Sequence, residues 1–249
     1  MKTVTIIIFG LIATFAAVAT AQTAPGVCAA AELQRETRSL PSFNRVEIIG
    51  VGNVVLRPGK AESATVDAPA QLISRVLVEV RNRTLYIDVS PHRTWSDWTH
   101  MFGAQQTPSV TVDFVRLERV EAGGAIKLFA DGLRADELRL DFSGASTVRI
   151  ANVQASTLRL EGSGATKVEV SGKVGKQVVE LSGAGSYSAQ GLESDRAEIS
   201  VSGAGKAFVN AKTSLAVEIS GAGLVEYSGN PRIEQEISGV GKVRRREAD

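Results

Sequence analysis

The segment from Ser90 to Thr107 concentrates the side chains best suited to chemistry in this sequence. It holds both histidines and both tryptophans of the chain, at His92, Trp95, Trp98 and His100. A tryptophan ring combines an apolar face with an N–H that can reach a hydroxyl, so such a cluster is typical of a surface that stacks against sugars. The segment is therefore a candidate ligand-binding site.

Two other interpretations of this segment stay open. The rings could fold back over the rest of the protein as a hydrophobic lid. The two histidines with Asp97 could also form a metal site, although three residues on one loop lack a clear ligand geometry. Because the chain has only two histidines and one cysteine, it excludes multi-ligand zinc sites, iron–sulfur clusters and disulfide frameworks. We predict no metal and no cofactor.

A regular series of acidic residues forms a second candidate. Its members recur at one outward position of a repeating pattern, interrupted once by Ser200: Glu47, Glu121, Asp141, Glu161, Glu180, Glu218 and Glu236. Like charges on adjacent strands are unfavourable. Six residues after each repeat acid there is a second series: Lys127, Thr147, Lys167, Ser186, Lys206, Leu224 and Lys242. We therefore expect a surface network of acids and lysines, with cation binding along the acidic strip as the alternative.

Two patterns that suggest catalysis are better explained otherwise. Gly203-Ala204-Gly205-Lys206 resembles a phosphate-binding loop, but it lacks the upstream glycine and the following Ser or Thr. The same position recurs throughout the chain, which favours a turn. The recurring serines lack a histidine beside them that could activate a nucleophile. We predict no catalytic residues and no enzymatic activity.

The element that positions these residues is an internal repeat. Its core is Ser-Gly-Ala-Gly or a close variant, from Ser143-Gly144-Ala145-Ser146 to Ser238-Gly239-Val240-Gly241. The second-position glycines lie 18 to 20 residues apart and are predicted to form structural turns: Gly124, Gly144, Gly164, Gly183, Gly203, Gly221 and Gly239. A period of this length indicates one structural unit per repeat.

Each repeat alternates apolar and polar residues as it approaches its serine. Leu140, Asp141 and Phe142 show the pattern, which is typical of a half-buried strand. One unit with short strands cannot close a core by itself, so neighbouring units must stack at about 4.8 Å. The sequence therefore predicts an all-β fold, a parallel β-helix solenoid with coils of 18–20 residues.

The N-terminus indicates export. An apolar run from Val4 to Val18 follows Lys2, and Ala19-Thr20-Ala21 fits a signal-peptidase site. We predict a signal peptide over residues 1–21 and no transmembrane span after its cleavage. A flexible segment with an unpaired Cys28 follows over residues 22–39. The net charge of +1 leaves no field to attract nucleic acid.

Several stretches resemble the family named "putative auto-transporter adhesin, head GIN domain", a family of secreted bacterial proteins. They are Phe43 to Val55, Arg83 to Ile87, the Ser-Gly-Ala-Gly repeats, and Tyr227-Ser228-Gly229-Asn230-Pro231. The resemblance covers residues 40–244. It implies a right-handed, single-stranded β-helix and an adhesin-like role.

These observations give one expected architecture and two candidate functions. We expect a β-helix domain over residues 40–244, with irregular opening coils over 40–115 and regular repeats over 116–244, and then a tail over 245–249. The charged final coil is expected to act as a solvated cap. The predicted function is a secreted, non-catalytic protein of the cell envelope that binds a polysaccharide or a surface protein. A β-helix polysaccharide lyase or hydrolase is the alternative, by fold analogy only.

Overall fold

A computed structural model describes residues 33–90 and 107–246 of the chain. These residues form fifteen strands and one short helix, α1 (Ala70–Ile73). In chain order the strands are β1 Leu33–Ser39, β2 Arg45–Pro58, β3 Ser63–Pro69, β4 Leu77–Arg81, β5 Thr84–Val89, β6 Ser109–Phe114, β7 Arg119–Asp131, β8 Arg134–Gly144, β9 Thr147–Gly164, β10 Lys167–Gly183, β11 Ser186–Gly203, β12 Lys206–Gly221, β13 Leu224–Ser228, β14 Arg232–Gly239 and β15 Lys242–Arg245. No helix in the described parts of the chain is long and apolar enough to cross a membrane.

The strands of the second half stack in parallel, coil upon coil, as the repeat predicted. β9 pairs with β10, β10 with β11, and β11 with β12, and all three pairings are parallel. Equivalent repeat positions align across coils, so Ser163 pairs with Ser182 and Ser182 with Ser202. The predicted parallel β-solenoid is confirmed.

Glycines with positive φ form one corner of every coil. The seven glycines of the repeat series have φ between +80° and +123°, and Gly50 joins the column with φ +114°. The following amide hydrogen-bonds to the previous coil, as where Ala204 N donates to the Gly183 carbonyl at 2.9 Å. A Cβ on Gly203 would lie 2.6 Å from that same oxygen. Close coil-to-coil approach therefore requires glycine here.

The core is a set of apolar columns that run through the stacked coils. One column contains Leu140, Leu160, Val179, Ile199 and Val217, each aligned with the next and each at most 3% exposed. No single coil encloses these side chains, because each is covered by its equivalents on the coils to either side. Burial of this apolar surface is the main stabilising contribution.

A polar network lies inside this apolar core. Tyr187 Oη donates to Gln177 Oε1 at 3.0 Å, Gln177 Nε2 donates to Ser194 Oγ at 2.8 Å, and Ser194 Oγ donates to the Asn210 carbonyl at 2.7 Å. Gln177 and Tyr187 are fully buried. Burial raises the pKa of Tyr187 above its ordinary value, so the phenol stays protonated and serves as a donor.

The first half contains antiparallel strands where irregular opening coils were expected. β4 and β5 form a hairpin whose turn residues, Asn82 and Arg83, have φ of 49° and 61°, as a two-residue hairpin turn requires. β6 pairs antiparallel with β3. β2 follows the regular pattern, since its Gly50 aligns with Gly124 on β7, and β5 and β6 both stack on β2 in parallel.

The segment predicted to be flexible over residues 22–39 has a strand at its end. β1 pairs antiparallel with β3 along its whole length. Its side chains are polar and mostly exposed, so its sequence shows no apolar alternation. Backbone pairing and cross-strand contacts hold it instead, including Arg35 Nε to Asp67 Oδ1 at 2.7 Å and Thr37 to Thr65 at 3.1 Å. Such pairing depends on a partner remote in sequence.

Candidate functional site

The predicted ligand-binding residues His92, Trp95, Trp98 and His100 lie outside the described residues. The two flanking strands, β5 and β6, both pair with β2. The role of the four rings stays a prediction.

The double change Trp95→Ala with Trp98→Ala separates the two main interpretations of this segment. If the rings contact a ligand, surface or glycan binding is lost while the melting temperature stays unchanged. If they form a lid, the melting temperature falls, because truncating buried aromatic rings costs about 3–5 kcal/mol each. Binding assays and thermal denaturation monitored by circular dichroism decide between them, and retained binding with a lowered melting temperature would refute the contact interpretation.

An open groove runs along one face of the solenoid beside the glycine corner. Its volume is about 610 Å³. Carboxylates and hydroxyls from successive coils line it, together with exposed Ile49 at one end: Glu47, Glu121, Asp141, Glu161, Glu180, Ser143, Ser163, Ser182, Ser200 and Ser202. We call this surface the acid–serine groove.

The parallel register creates the two columns of the groove. Asp141 aligns with Glu161, and Glu161 with Glu180. Two residues further along each strand, Ser163 aligns with Ser182. Positions i and i+2 of a strand share a face, so the coils of Asp141, Glu161 and Glu180 each present one carboxylate and one hydroxyl at intervals of about 4.8 Å. The coils of Glu47 and Glu121 carry Ile49 and Gly123 at the position of the hydroxyl.

A column of arginines runs beside the first part of the acidic column. Four coils place arginine at the position two residues before the acid: Arg45, Arg119, Arg139 and Arg159. The Arg119 guanidinium contacts Glu121 at 2.6 Å and Asp141 at 2.9 Å. Arg119 therefore bridges two coils and pairs with two adjacent acids, although its single charge offsets only one of the two negative charges.

Two other arginines of the column contact an acid that does not line the groove. Arg139 and Arg159 both contact Glu137, at 3.2 and 3.0 Å. Their hydrogen bonds hold the pKa of the Glu137 carboxyl below its ordinary value. Within the described residues, Glu161 and Glu180 of the acidic column have no ion-pair partner, and both are exposed to water. The paired acids Glu121 and Asp141 therefore lie between acids that have no ion pair among the residues that the structure describes, with Glu47 on one side and Glu161 and Glu180 on the other.

The expected network of acids and lysines is not formed, so that prediction was wrong. Among residues 33–90 and 107–246, the lysine ion pairs are Lys176 with Glu198 and Lys212 with Glu193. The lysines six residues after the acids form their own column, in which Lys167 aligns with Ser186 and Ser186 with Lys206. A positive-φ glycine lies between each acid and its lysine, and the corner that it makes places the two columns on different faces.

The groove offers both donors and acceptors of hydrogen bonds. Ionised carboxylates accept hydrogen bonds, and serine hydroxyls both donate and accept. In the described ranges, no group of three or more His, Cys, Asp or Glu could hold a metal ion. The sequence alone identified the acidic column and the recurring serines. It did not identify the arginine column, which became evident once the coils were aligned.

Comparison with known proteins identifies the fold and the family. Residues 42–231 match the family described as "Putative auto-transporter adhesin, head GIN domain". A putative adhesin from Bacteroides fragilis has a similar crystal structure, with a TM-score of 0.77 and 20% identity over 86% of this chain and 97% of that one.

Two proteins of Parabacteroides distasonis share the fold at the same coverage, 86% of this chain and 97% of theirs. One is described as a putative adhesin, with a TM-score of 0.66 and 18% identity. The other is described as a putative lipid binding protein, with a TM-score of 0.66 and 16% identity. The comparison with curated proteins gives no match. Because the family match spans most of the chain, the resemblance seen in the sequence is confirmed, and the chain belongs to the auto-transporter adhesin, head GIN domain family.

Proposed function

We propose that this protein is exported and acts at the cell surface or outside the cell as a non-catalytic binding protein. Its ligand is an extended, hydroxyl-rich polysaccharide that lies along the acid–serine groove. The observation that carries the proposal is the pair of in-register columns, one of carboxylates and one of hydroxyls, in a single open groove. The adhesin description of the family and the signal-peptide pattern support the location.

The charge of the groove indicates which polysaccharides fit. Sugar hydroxyls donate to carboxylates, and such charge-assisted hydrogen bonds are stronger than neutral ones. A polymer of uronic acids would instead place its carboxylates against Glu161 and Glu180, which no cation neutralises among the described residues. We therefore expect neutral or amino-substituted polysaccharides to bind and polyuronates not to bind.

An extended polymer also suits the length of the groove. The carboxylate column from Glu47 to Glu180 crosses five coils, which is roughly 19 Å at the strand spacing. The coils of Asp141, Glu161 and Glu180 repeat the same pair of groups, so each additional sugar along them gains similar contacts. Affinity is expected to rise with oligosaccharide length until the groove is filled.

Removing two groove carboxylates that have no ion pair among the described residues tests this site. We expect Glu161→Gln with Glu180→Gln to weaken binding of neutral polysaccharide on the order of tenfold, the loss of roughly 1.4 kcal/mol of charge-assisted hydrogen bonding. Affinity electrophoresis in gels containing glucan, xylan or galactomannan measures the change. The matched control is Asp136→Asn with Asp195→Asn, which removes two exposed charges that lie outside the groove. Like Glu161 and Glu180, neither residue has an ion pair among the described residues.

Three outcomes would contradict the proposal. Equal loss of binding in the control variant would show that net charge matters and not the groove. Binding of polygalacturonate in preference to neutral polymers would contradict the assignment of ligand class. New reducing ends or unsaturated products in the same mixtures would show catalysis and favour the lyase or hydrolase alternative.

A further inference from the structure

The C-terminal end of the solenoid differs from its other coils because its strands have free edges. Within the described residues, β14 pairs only with β12 and β15 pairs only with β13. An unpaired edge presents a row of free N–H and C=O groups that can pair with another strand. At the opposite end, β1 also has a free edge, but its side chains are almost all polar, Leu33-Gln-Arg-Glu-Thr-Arg-Ser39.

The final coil also exposes part of the hydrophobic core. Ile233 and Ile237 align with Leu215 and Ile219 of the preceding coil. The preceding pair is 1% exposed, whereas Ile233 is 37% and Ile237 is 39% exposed. Val240 on the adjoining turn is 84% exposed. All residues of β14 are exposed, and Gln235 takes the inward position that aligns with Val217, as expected of a solvated cap. The isoleucines on either side of Gln235 nevertheless leave apolar surface exposed on this coil.

Charges at the open end identify the occupant. The outward charged residues of β14 are Arg232, Glu234 and Glu236, and those of β15 include Lys242 and Arg244. Arg232 pairs with Glu234, and Arg244 pairs with Glu226 of the same chain, so among the described residues Glu236 and Lys242 are the outward charges of these two strands that have no ion pair. Pairing of β14 with the partner's β15 brings these opposite charges together, and a two-fold axis repeats that contact with the roles exchanged.

We propose that two copies of this chain associate end to end, with β14 of one copy placed against β15 of the other. The interface buries Ile233, Ile237 and Val240 from both copies and satisfies the free strand edges. It is independent of the acid–serine groove, so a failure of polysaccharide binding would not affect this inference.

Sedimentation equilibrium of the purified full-length mature protein tests the association. We expect the mass of a dimer, and a dissociation constant that rises on the order of tenfold or more in Ile237→Lys, which places a charge in the apolar centre of the interface. Ile237 is already partly exposed in one copy, so circular dichroism and the melting temperature are expected to stay close to wild type. The matched control is Leu33→Lys at the opposite end, 54% exposed, which should leave the dimer intact.

A charge exchange tests which strands meet. Glu236→Lys alone and Lys242→Glu alone should each weaken the dimer, because each sets like charges opposite one another. The double variant Glu236→Lys with Lys242→Glu should restore it. A monomer at all concentrations would overturn the proposal, as would a dimer that Leu33→Lys disrupts and Ile237→Lys does not. Failure of the double variant to recover would overturn the pairing of β14 with β15.

Discussion

Gly203→Val should unfold the regular coils under conditions in which the wild-type protein is folded. Gly203 has φ +110°, a conformation that costs a β-branched residue about 1–3 kcal/mol. A Cβ there would also lie 2.6 Å from the Gly183 carbonyl oxygen and 3.2 Å from Gly183 N. Overpacking of this kind adds about 1–3 kcal/mol, and the clash is with backbone that cannot rotate away.

The effect of this substitution should extend beyond its own coil. Gly221 packs over Gly203 in the same way that Gly203 packs over Gly183, so displacement at one corner disturbs both neighbouring coils. Solenoid stability depends on such contacts between adjacent repeats. The total loss is a large part of the roughly 5–15 kcal/mol that stabilises a typical domain.

Urea denaturation monitored by circular dichroism measures the loss. Gly203→Ala should have an intermediate effect, because its Cβ meets the same oxygen without the branched methyl groups. Ala204→Val is the matched control, since Ala204 is exposed and outside the positive-φ region, and we expect it to change the free energy of unfolding by less than about 0.5 kcal/mol. An unchanged midpoint for Gly203→Val would show that the glycine column does not set the stacking.

Gln177→Leu should give the second large loss of stability. The leucine matches its neighbours in the column, since Gln177 aligns with Leu158 on one side and Ala197 on the other. It removes the acceptor of the Tyr187 hydroxyl and one of the partners of Ser194. A buried polar group left without a partner costs about 1–3 kcal/mol, so an apparently favourable apolar substitution should destabilise the protein.

A second variant shows whether the orphaned hydroxyl causes the loss. Gln177→Leu with Tyr187→Phe removes both the amide and the hydroxyl, and we expect it to be more stable than Gln177→Leu alone by about 1 kcal/mol or more. Free energies from urea denaturation of the wild type, both single variants and the double variant give the coupling. If the added Tyr187→Phe change gives no recovery, the hydrogen bond between the two side chains does not contribute to stability.

The architecture of the second half was predictable because its determinants are local. Alternation such as Leu140-Asp141-Phe142 fixes which side chains face inward, and a glycine every 18 to 20 residues fixes where each coil bends. Both features act within a few residues. Repetition then leaves stacking as the only way to bury the inward faces, so periodicity alone indicated the solenoid and the two outward columns of the groove.

The first half was less predictable because its pairings are remote in sequence. β1 carries no apolar alternation, and only contact with β3, around thirty residues away, makes it a strand. The acidic column had lysines close by in the sequence, yet it is Arg119 from the same face that pairs with Glu121 and Asp141. Which charges meet depends on how the corners orient the faces, and local spacing does not contain that information.

The sequence by itself determined the repeat, its period and the inward and outward positions. The tertiary structure decided how residues that depart from the repeat are accommodated in the packing. Gly162 occupies an inward position that is apolar and larger in most coils, and a Cβ there would lie 3.0 Å from Thr166 Oγ1 and 3.1 Å from a Leu181 methyl. In the coil of Val201 the sizes are reversed, since a Cβ on Gly205 would lie 2.9 Å from the valine side chain. In each coil, the residue before the serine and the residue four positions later share one volume at the corner, which side chains of a neighbouring coil also help to fill. Because close packing constrains the sum of the volumes and not each residue, only the assembled coils explain why glycine is tolerated at one position and required at the other.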